Sequence, residues 1–403
     1  MRMAYKCRAY PDPGQAAMLA RTFGCVRVVW NRTLAARHAR WATERKPTSY
    51  RETDAALTAM KRLPELAWLN EVSSVPLQQT LRHQHNAFAA FFAGRARYPR
   101  YKSRRGRQAA TYTRSAFRWR DGQLTLAKMT SSMTLVWSWP AIDPATLDPT
   151  TVTVSRDPDG RWHATLHVEV ADPTPLPATG RAVGIDLGIS DFAVTSDGQR
   201  ITNPRHLERK AANLARYQRR MARKRKGSAN RAKAAAKVAR AHRKVRAARS
   251  DFLHRISTRL AREHDLLVIE DLNVRGMTRN RHLARAISDC GWGAFRSMLA
   301  YKAARAGRRL VVLDRWYPSS KTCSACGHVL ATLSLGTRTW VCPSCGARHD
   351  RDLNAAKSIL AAGLAVTACG ADVSHAGASR VQSAMRQEPQ LVRAGIPVLQ
   401  GGE

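Results

Sequence analysis

Asp186, Glu270 and Asp352 each lie where an apolar element meets a polar end, a placement suited to chemistry. In RAVGIDLGISDFAVTSDG, residues 181 to 198, Val183, Ile185 and Leu187 alternate with smaller or polar neighbours, the period-two pattern of a strand. Phe192 to Thr195 reads as a second strand, and Asp197-Gly198 is a hairpin turn signal. Asp186 therefore interrupts a buried strand near its end. A carboxylate there is costly unless it is paired, hydrogen-bonded or bound to a cation. The plainer alternative is a turn aspartate capping its own backbone. Leu266-Leu267-Val268-Ile269-Glu270-Asp271 is an apolar run ending in acids, which suits a central strand with its polar end at a cleft. Asp350-Arg351-Asp352-Leu353-Asn354-Ala355-Ala356 opens a short helix through Leu360. Three carboxylates meeting at one sheet edge repel strongly without divalent cations. With two Mg²⁺ ions they make the two-metal site of phosphodiester hydrolysis.

A second constellation is built from sulfur. Cys323-x-x-Cys326 and Cys342-x-x-Cys345 are separated by 15 residues, and each pair is followed by glycine, Gly327 and Gly346. This is the spacing of a Cys₄ zinc ribbon with one structural Zn²⁺, because four thiolates leave no open coordination position. Its place just before Asp352 makes it a support for the last acid-bearing helix and a border of the substrate cleft. The turn Ser319-Ser320-Lys321 and Arg338 lie nearby in sequence and either touch substrate phosphates or are simply exposed.

GIDLG, VIEDL and DRDLNAA, with the CxxC pairs before the last, resemble the split RuvC nuclease of the transposon-encoded TnpB family, the relatives of type V CRISPR effectors. The resemblance extends over roughly residues 1 to 362, and YKCRAYP followed by a helix carrying FGCVRVVWN resembles the TnpB amino terminus. It implies catalytic, Mg²⁺-binding roles for Asp186, Glu270 and Asp352. In DRD the family pattern selects Asp352, two residues before Asn354; Asp350 is the alternative, and Asp271 reads as structural.

The bulk properties narrow the class. Lys plus Arg number 68 against 29 acids in 403 residues, a net charge of +39, which calls for a polyanionic partner. No stretch approaches 18 consecutive apolar residues and no signal peptide opens the chain, so no membrane partner is expected, and four cysteines spaced for metal fit a reducing cytoplasm. Cys7, Cys25, Cys290 and Cys369 are scattered and read as core or incidental residues.

The elements around these motifs follow from periodicity. Tyr5 to Tyr10 reads as a strand, Asp12-Pro13 as a helix start, and Leu19, Phe23, Val26, Trp30 and Leu34 as its apolar stripe. Residues 46 to 75 read as irregular, and Leu77, Leu81, Phe88 and Phe92 mark another helix. The stretch from Gly94 carries Arg97, Arg100, Lys102, Arg104 and Arg105 with Tyr98 and Tyr101 interleaved, a pattern for phosphate contact and base stacking. From Thr111, short alternating segments with turns at Asp121-Gly122 and Asp159-Gly160 suggest a small antiparallel barrel that the amino-terminal strand joins. Residues 205 to 250 hold 18 Lys or Arg and one acid, Glu208, across a helical break at Gly227 to Asn230. With no acids to pair with, that hairpin, including Arg219, Arg220, Arg223, Lys224 and Lys226, is expected to lie along a nucleic-acid duplex. Leu310 to Leu313 reads as a further strand after a packing helix, Trp292 to Ala304, which completes the element order of an RNase H-like α/β fold.

The expected organisation is multidomain α+β. Residues 1 to 10 and 111 to 172 form a β-barrel, the wedge domain by resemblance. Residues 11 to 110 form an inserted helical recognition region. Residues 180 to 314 and 350 to 364 form the RuvC-like nuclease, with its basic hairpin at 205 to 262. Residues 315 to 349 form the zinc ribbon, a target nucleic-acid-binding insert, and 365 to 403 a disordered tail. The resemblance implies an RNA-guided DNA endonuclease of a mobile element. It would use a guide RNA from the transposon end, act on target double-stranded DNA beside a short adjacent motif, and bind one RNA per monomer. Alternatives from the same residues are an RNA-guided DNA-binding repressor, a compact type V CRISPR effector and an RNA-independent transposase.

Overall fold

The computed structural model describes residues 1–104, 106–334 and 336–368. The chain divides into two units, Met1–Ala171 with Gly227–Ala239, and Asp172–Lys226 with the chain from Arg240 onward. Arg105, Cys369 and the expected tail beyond residue 368 lie outside the described residues.

In the first unit, strand β1 (Arg2–Tyr10) leads into α1 (Pro13–Glu44). Asp12 and Gln15 start this helix with a reciprocal capping box: Asp12 Oδ1 accepts from Gln15 N at 2.8 Å, and Gln15 Oε1 accepts from Asp12 N at 3.1 Å. Helices α2 (Tyr50–Arg62) and α3 (Ser74–Phe92) follow, with a 3₁₀ turn at Pro64–Asn70 between them. The expectation of irregular chain over 46 to 75 is therefore wrong. Ser49 and Glu52 form a second capping box, and Tyr50, Leu57 and Met60 turn to the core, so a short amphipathic helix stands between Pro47 and Pro64.

Seven strands complete the unit: β1, then β2 (Gln108–Thr113), β3 (Phe117–Arg120), β4 (Gln123–Leu126), β5 (Thr134–Val136), β6 (Pro149–Arg156) and β7 (Trp162–Glu169). Five form an antiparallel sheet in the order β2-β6-β7-β1-β5, and β3-β4 make a separate hairpin joined by a Leu124–Met133 bridge. Where a small antiparallel barrel was expected, the described residues form this five-stranded sheet, in which no pairing joins β2 to β5. Leu19, Phe23 and Val26 of α1 and Leu77 and Leu81 of α3 share one core with Tyr5, Val154 and Leu166 of the sheet. Trp137 and Trp139 follow β5 and pack on Tyr5 at ring separations of 5.4 and 5.2 Å, as core residues.

The second unit is built on a mixed sheet. Strands β8 (Ala182–Leu187), β9 (Asp191–Thr195) and β10 (Arg200–Thr202) are an antiparallel meander; β11 (Leu266–Glu270) and β12 (Arg309–Leu313) add in parallel to give the order β10-β9-β8-β11-β12. Between β10 and β11 run α4 (Ala211–Ala222) and α5 (Ala229–Glu263); between β11 and β12 run α6 (Val274–Met277), α7 (Ala284–Cys290) and α8 (Trp292–Ala306). A small hairpin, β13 (Thr339–Val341) and β14 (Arg348–Asp350), precedes α9 (Arg351–Ala368). Residues 365 to 368, expected in the tail, belong to this helix, where Val366 is buried.

Both faces of this sheet are covered, and strand periodicity sorts the side chains. Leu267 and Ile269 join Leu253, Leu260, Phe295 and Leu299 of α5 and α8 on one face. Val268, Val311 and Leu313 join Ile359, Ala362 and Val366 of α9 on the other. Contact with α9 is close enough to dictate glycine at position 184. A Cβ there would stand 2.2 Å from the Ala356 carbonyl oxygen and 2.6 Å from Leu360 N. Among the described residues no helix is long and apolar enough to cross a membrane.

Candidate active site

The same periodicity aims the acids. Asp186 shares a strand face with Gly184, and Glu270 shares one with Val268; both are the face that α9 covers. Ile185 pairs with Ile269 across adjacent parallel strands, so Asp186 and Glu270, one residue further on, leave the sheet at the same end. Asp352 lies in the first turn of α9, four residues before Ala356, whose carbonyl abuts Gly184. Two parallel strands and the helix across them thus bring three carboxylates to one sheet end.

Electrostatics registers that meeting. Burial first, then the charges of Glu270 and Asp352, raise the Asp186 carboxyl from an ordinary 3.8 to about 8, against the opposing charge of Arg351. Burial also raises Glu270, against a hydrogen bond that Ser319 Oγ donates to its Oε1. Asp352 is near two cations, with Arg200 Nη1 at 3.9 Å and Arg338 Nη1 at 4.0 Å. The three carboxylates do not close to within 4.8 Å of one another as a set; among the described residues only the four cysteines do. Three carboxylates at one sheet end are nonetheless the hard oxygen donor set that suits Mg²⁺, which keeps several of its own waters.

Neighbouring acids are engaged elsewhere. Asp350 caps α9, accepting from Leu353 N at 3.0 Å through Oδ1, and its Oδ2 meets Arg200 Nη2 at 2.8 Å. Arg200 also reaches Asp191 at 3.0 Å, so one guanidinium fastens the start of α9 to β9 and β10. Asp271 pairs with both Arg296 and Arg315, the latter at 2.5 Å. Sequence reading missed Arg200, which carries no motif, and Ser319, which was weighed as a phosphate contact and instead touches Glu270. Lys321 Nζ donates to the Ala331 carbonyl at 3.0 Å, whereas Arg338 is exposed.

The four cysteine sulfurs lie within 4.8 Å of one another, with Cys323 and Cys345 at 3.7 Å and Cys326 and Cys342 at 3.7 Å. The two knuckles share one backbone geometry. Cys323 N donates to the His328 carbonyl and Gly327 N to that of Cys323; Cys342 N donates to the Ala347 carbonyl and Gly346 N to that of Cys342. Gly327 and Gly346 adopt φ of 78° and 71°, which explains glycine after each CxxC. This donor set and spacing fit Zn²⁺. His349 Nε2 stands 3.0 Å from Cys323 Sγ, a contact no spacing rule revealed. Asn354 links this cluster to the acid site: its Nδ2 donates to the Thr322 carbonyl at 2.7 Å and its Oδ1 accepts from Ser324 N at 2.9 Å.

The basic positions fall in both units. In the first, Arg97, Arg100 and Arg104 are exposed, while the segment is fastened to α1 by Trp30 Nε1 donating to the Arg100 carbonyl at 2.9 Å. Asn31 and the Lys102 backbone exchange two hydrogen bonds, and Lys102 Nζ lies 4.2 Å from the Trp30 ring centroid. In the second, Arg219, Arg220, Arg223, Lys224 and Lys226 are all exposed.

With that geometry in hand, comparison with known proteins is specific. A family model described as "Probable transposase" matches residues 165–281, one described as "Cas12f1-like, TNB domain" matches 292–359, and a "Helix-turn-helix domain" model matches 1–46. Residues 1–46 hold one strand and one long helix here. A protein of Streptomyces pristinaespiralis named "Putative RNA-guided DNA endonuclease" is 55% identical over 99% of both chains. "Putative RNA-guided DNA endonuclease InsQ" of Escherichia coli (strain K12) is 31% identical over 97% of this chain and 98% of its own. A solved chain from "Cryo-EM structure of the Cas12f1-sgRNA-target DNA complex" matches in fold with a TM-score of 0.55 at 13% identity, covering 86% of this chain and 83% of that one.

Proposed function

The chain belongs to the TnpB family of RNA-guided DNA endonucleases, and from that premise we propose that it hydrolyses DNA phosphodiester bonds at Asp186, Glu270 and Asp352 after a bound guide RNA has paired with its target. The observation that carries the site is the convergence of Asp186 and Glu270 at one end of adjacent parallel strands, with the Asp352 charge raising the Asp186 carboxyl from α9. Two Mg²⁺ ions, when bound, supply a nucleophilic hydroxide and stabilise the leaving oxygen. The protein contributes the three carboxylates that would hold them. Ser319 orients Glu270, and Arg200 orients the start of α9. The raised Asp186 carboxyl must surrender its proton before it can ligate, so metal affinity increases with pH up to about 8.

The finer assignments are part of the same proposal. One Zn²⁺ sits among Cys323, Cys326, Cys342 and Cys345 and holds the 315 to 349 segment beside α9. The helices and sheet of residues 1 to 172 act as recognition and wedge regions that read a short adjacent motif on duplex DNA. Exposed arginines and lysines at 97 to 105 and 219 to 226, with Arg338, contact phosphates. One monomer takes one RNA in the cytoplasm. The test is plasmid cleavage in Mg²⁺ with the copurified RNA. Asp186→Ala is expected to abolish cutting while RNA still copurifies; cutting at the wild-type rate by that variant would remove the site assignment. A wild-type protein that holds RNA and target yet never cuts would favour the repressor reading.

A further inference from the structure

Four thiolates around a dication leave the cysteine cluster with excess negative charge, and its ligands meet that charge unequally. Cys326 and Cys345 are exposed, so water solvates their sulfurs, whereas Cys323 and Cys342 are each 1% exposed. A buried anion needs a donor. For Cys323 the side chain that supplies one is His349, whose Nε2 stands 3.0 Å from the sulfur. A metal-bound thiolate carries no proton and only accepts, so the proton between the two atoms belongs to Nε2. Packing fixes the ring in that pose. His349 pairs with the buried Trp340 across the β13–β14 hairpin, and the two rings lie 4.7 Å apart at 45°. The four sulfurs are mutually within 4.8 Å without the imidazole, so the ring is placed against a ligand and not as one.

The contact has a second end. His349 directly precedes Asp350, which caps α9 by accepting from Leu353 N at 3.0 Å and holds Arg200 at 2.8 Å. The same knuckle reaches α9 by another route. The Thr322 carbonyl, one residue before Cys323, accepts from Asn354 Nδ2 at 2.7 Å and from Ser358 Oγ at 2.9 Å. That route ends on backbone, whereas the His349 route ends on a zinc ligand and is tied directly to the metal. We propose that His349 is a positioning residue of the zinc knuckle: its Nε2–H donates to the Cys323 thiolate, slows loss of the metal and fixes the strand end from which the Asp352 helix starts. A charge-assisted bond of this kind draws electron density from the sulfur and so stabilises a cluster of four anionic ligands. The proposal rests on the zinc and nuclease readings above and adds a link between them.

The test uses the full chain with its copurified RNA, loaded with Zn²⁺ or with Co²⁺ as its spectroscopic substitute. His349→Phe keeps a ring against Trp340 and removes the donor; His349→Gln keeps an amide N–H at the reach of Nε2. In the Co²⁺ form, His349→Phe is expected to move the sulfur-to-cobalt charge-transfer band to lower energy, with d–d bands still those of four thiolates. His349→Gln returns that band toward its wild-type position. In the Zn²⁺ form, transfer of the metal to a chromogenic chelator is expected to be about ten-fold faster for His349→Phe and within about three-fold of wild type for His349→Gln. Plasmid cleavage by His349→Phe falls about ten-fold while RNA still copurifies. An unmoved band with unchanged zinc release overturns the proposal and leaves the zinc and nuclease readings standing. Wild-type cleavage despite faster zinc loss overturns the link to the acid site. Wild-type d–d bands of three sulfurs and one nitrogen, lost in His349→Phe, also overturn the proposal, by making His349 a ligand in place of an exposed cysteine. If thermal melting shows His349→Phe to be unfolded, His349→Asn, whose shorter amide does not reach the sulfur, is measured instead with the same changes expected, and no change overturns the proposal. A wild-type chain that takes up neither metal removes the zinc reading, and the proposal falls with it.

Discussion

Asp186 shows how one carboxylate carries both a cost and a use. Held up to about 8 by burial and by two neighbouring acids, it keeps its proton in the folded chain over a range where the unfolded chain, ionising near 3.8, has lost it. The folded state then binds more protons, so stability falls as pH rises from about 4 to about 8, at a slope on the order of 1 kcal/mol per pH unit. Asp186→Asn removes the ionisation. Its melting temperature in EDTA should exceed that of the wild type by a margin that widens with pH across that range, and Mg²⁺ should narrow the margin by stabilising only the wild type. A margin independent of pH would show that Asp186 is not held protonated in the fold. At this scale the sequence told much. An acid at the end of an apolar strand is conspicuous, and the CxxC spacing is nearly self-explanatory. Arg200, Ser319 and His349 were not legible, because each acts through a contact between segments far apart in the chain and belongs to no local pattern.

At the scale of elements, α9 is the piece on which the second unit closes. Gly184 lets it approach β8 so nearly that a single methyl would meet backbone, not a yielding side chain. Gly184→Ala is expected to cost about 3 kcal/mol, the upper end for overpacking, measured by denaturant unfolding of the full chain. A loss below 1 kcal/mol would mean that helix and strand can separate freely. Asn354 is the second fastening, since its amide is used at both ends by the first cysteine knuckle. Asn354→Ala should retain one zinc per chain by elemental analysis while cleavage drops ten-fold or more, because the knuckle would no longer register the helix that bears Asp352. The longer helices and the apolar strands were readable in advance, α1, α8 and β11 among them. Helix α2 was not, because its thirteen residues stand between Pro47 and Pro64, whose turn signals dominate the segment. Whether the antiparallel strands close into a barrel was not legible either: alternation identifies strands and turns but not whether the first and last strands pair, which depends on shear and twist accumulated across the sheet.

For the whole molecule, charge is the dominant fact. A net +39 over 403 residues, with exposed basic runs in each unit at 97 to 104 and 219 to 226, makes a polyanion the natural counterpart. Affinity for the copurified RNA should fall steeply with salt, each phosphate contact adding about 0.7 to 0.9 to the slope of log K against log salt. A filter-binding series from low to moderate salt measures it, and a slope near zero would exclude phosphate neutralisation as the source of binding. The order of elements along the chain has a further consequence. The third acid arrives only with α9, after every strand of the mixed sheet has been made. On the proposed site, a polypeptide still emerging from the ribosome therefore carries its basic surfaces before it carries all three acids. Synthesis itself delays the hazard of a half-built nuclease, and ribosome-stalled chains ending before residue 350 should capture RNA without nicking DNA.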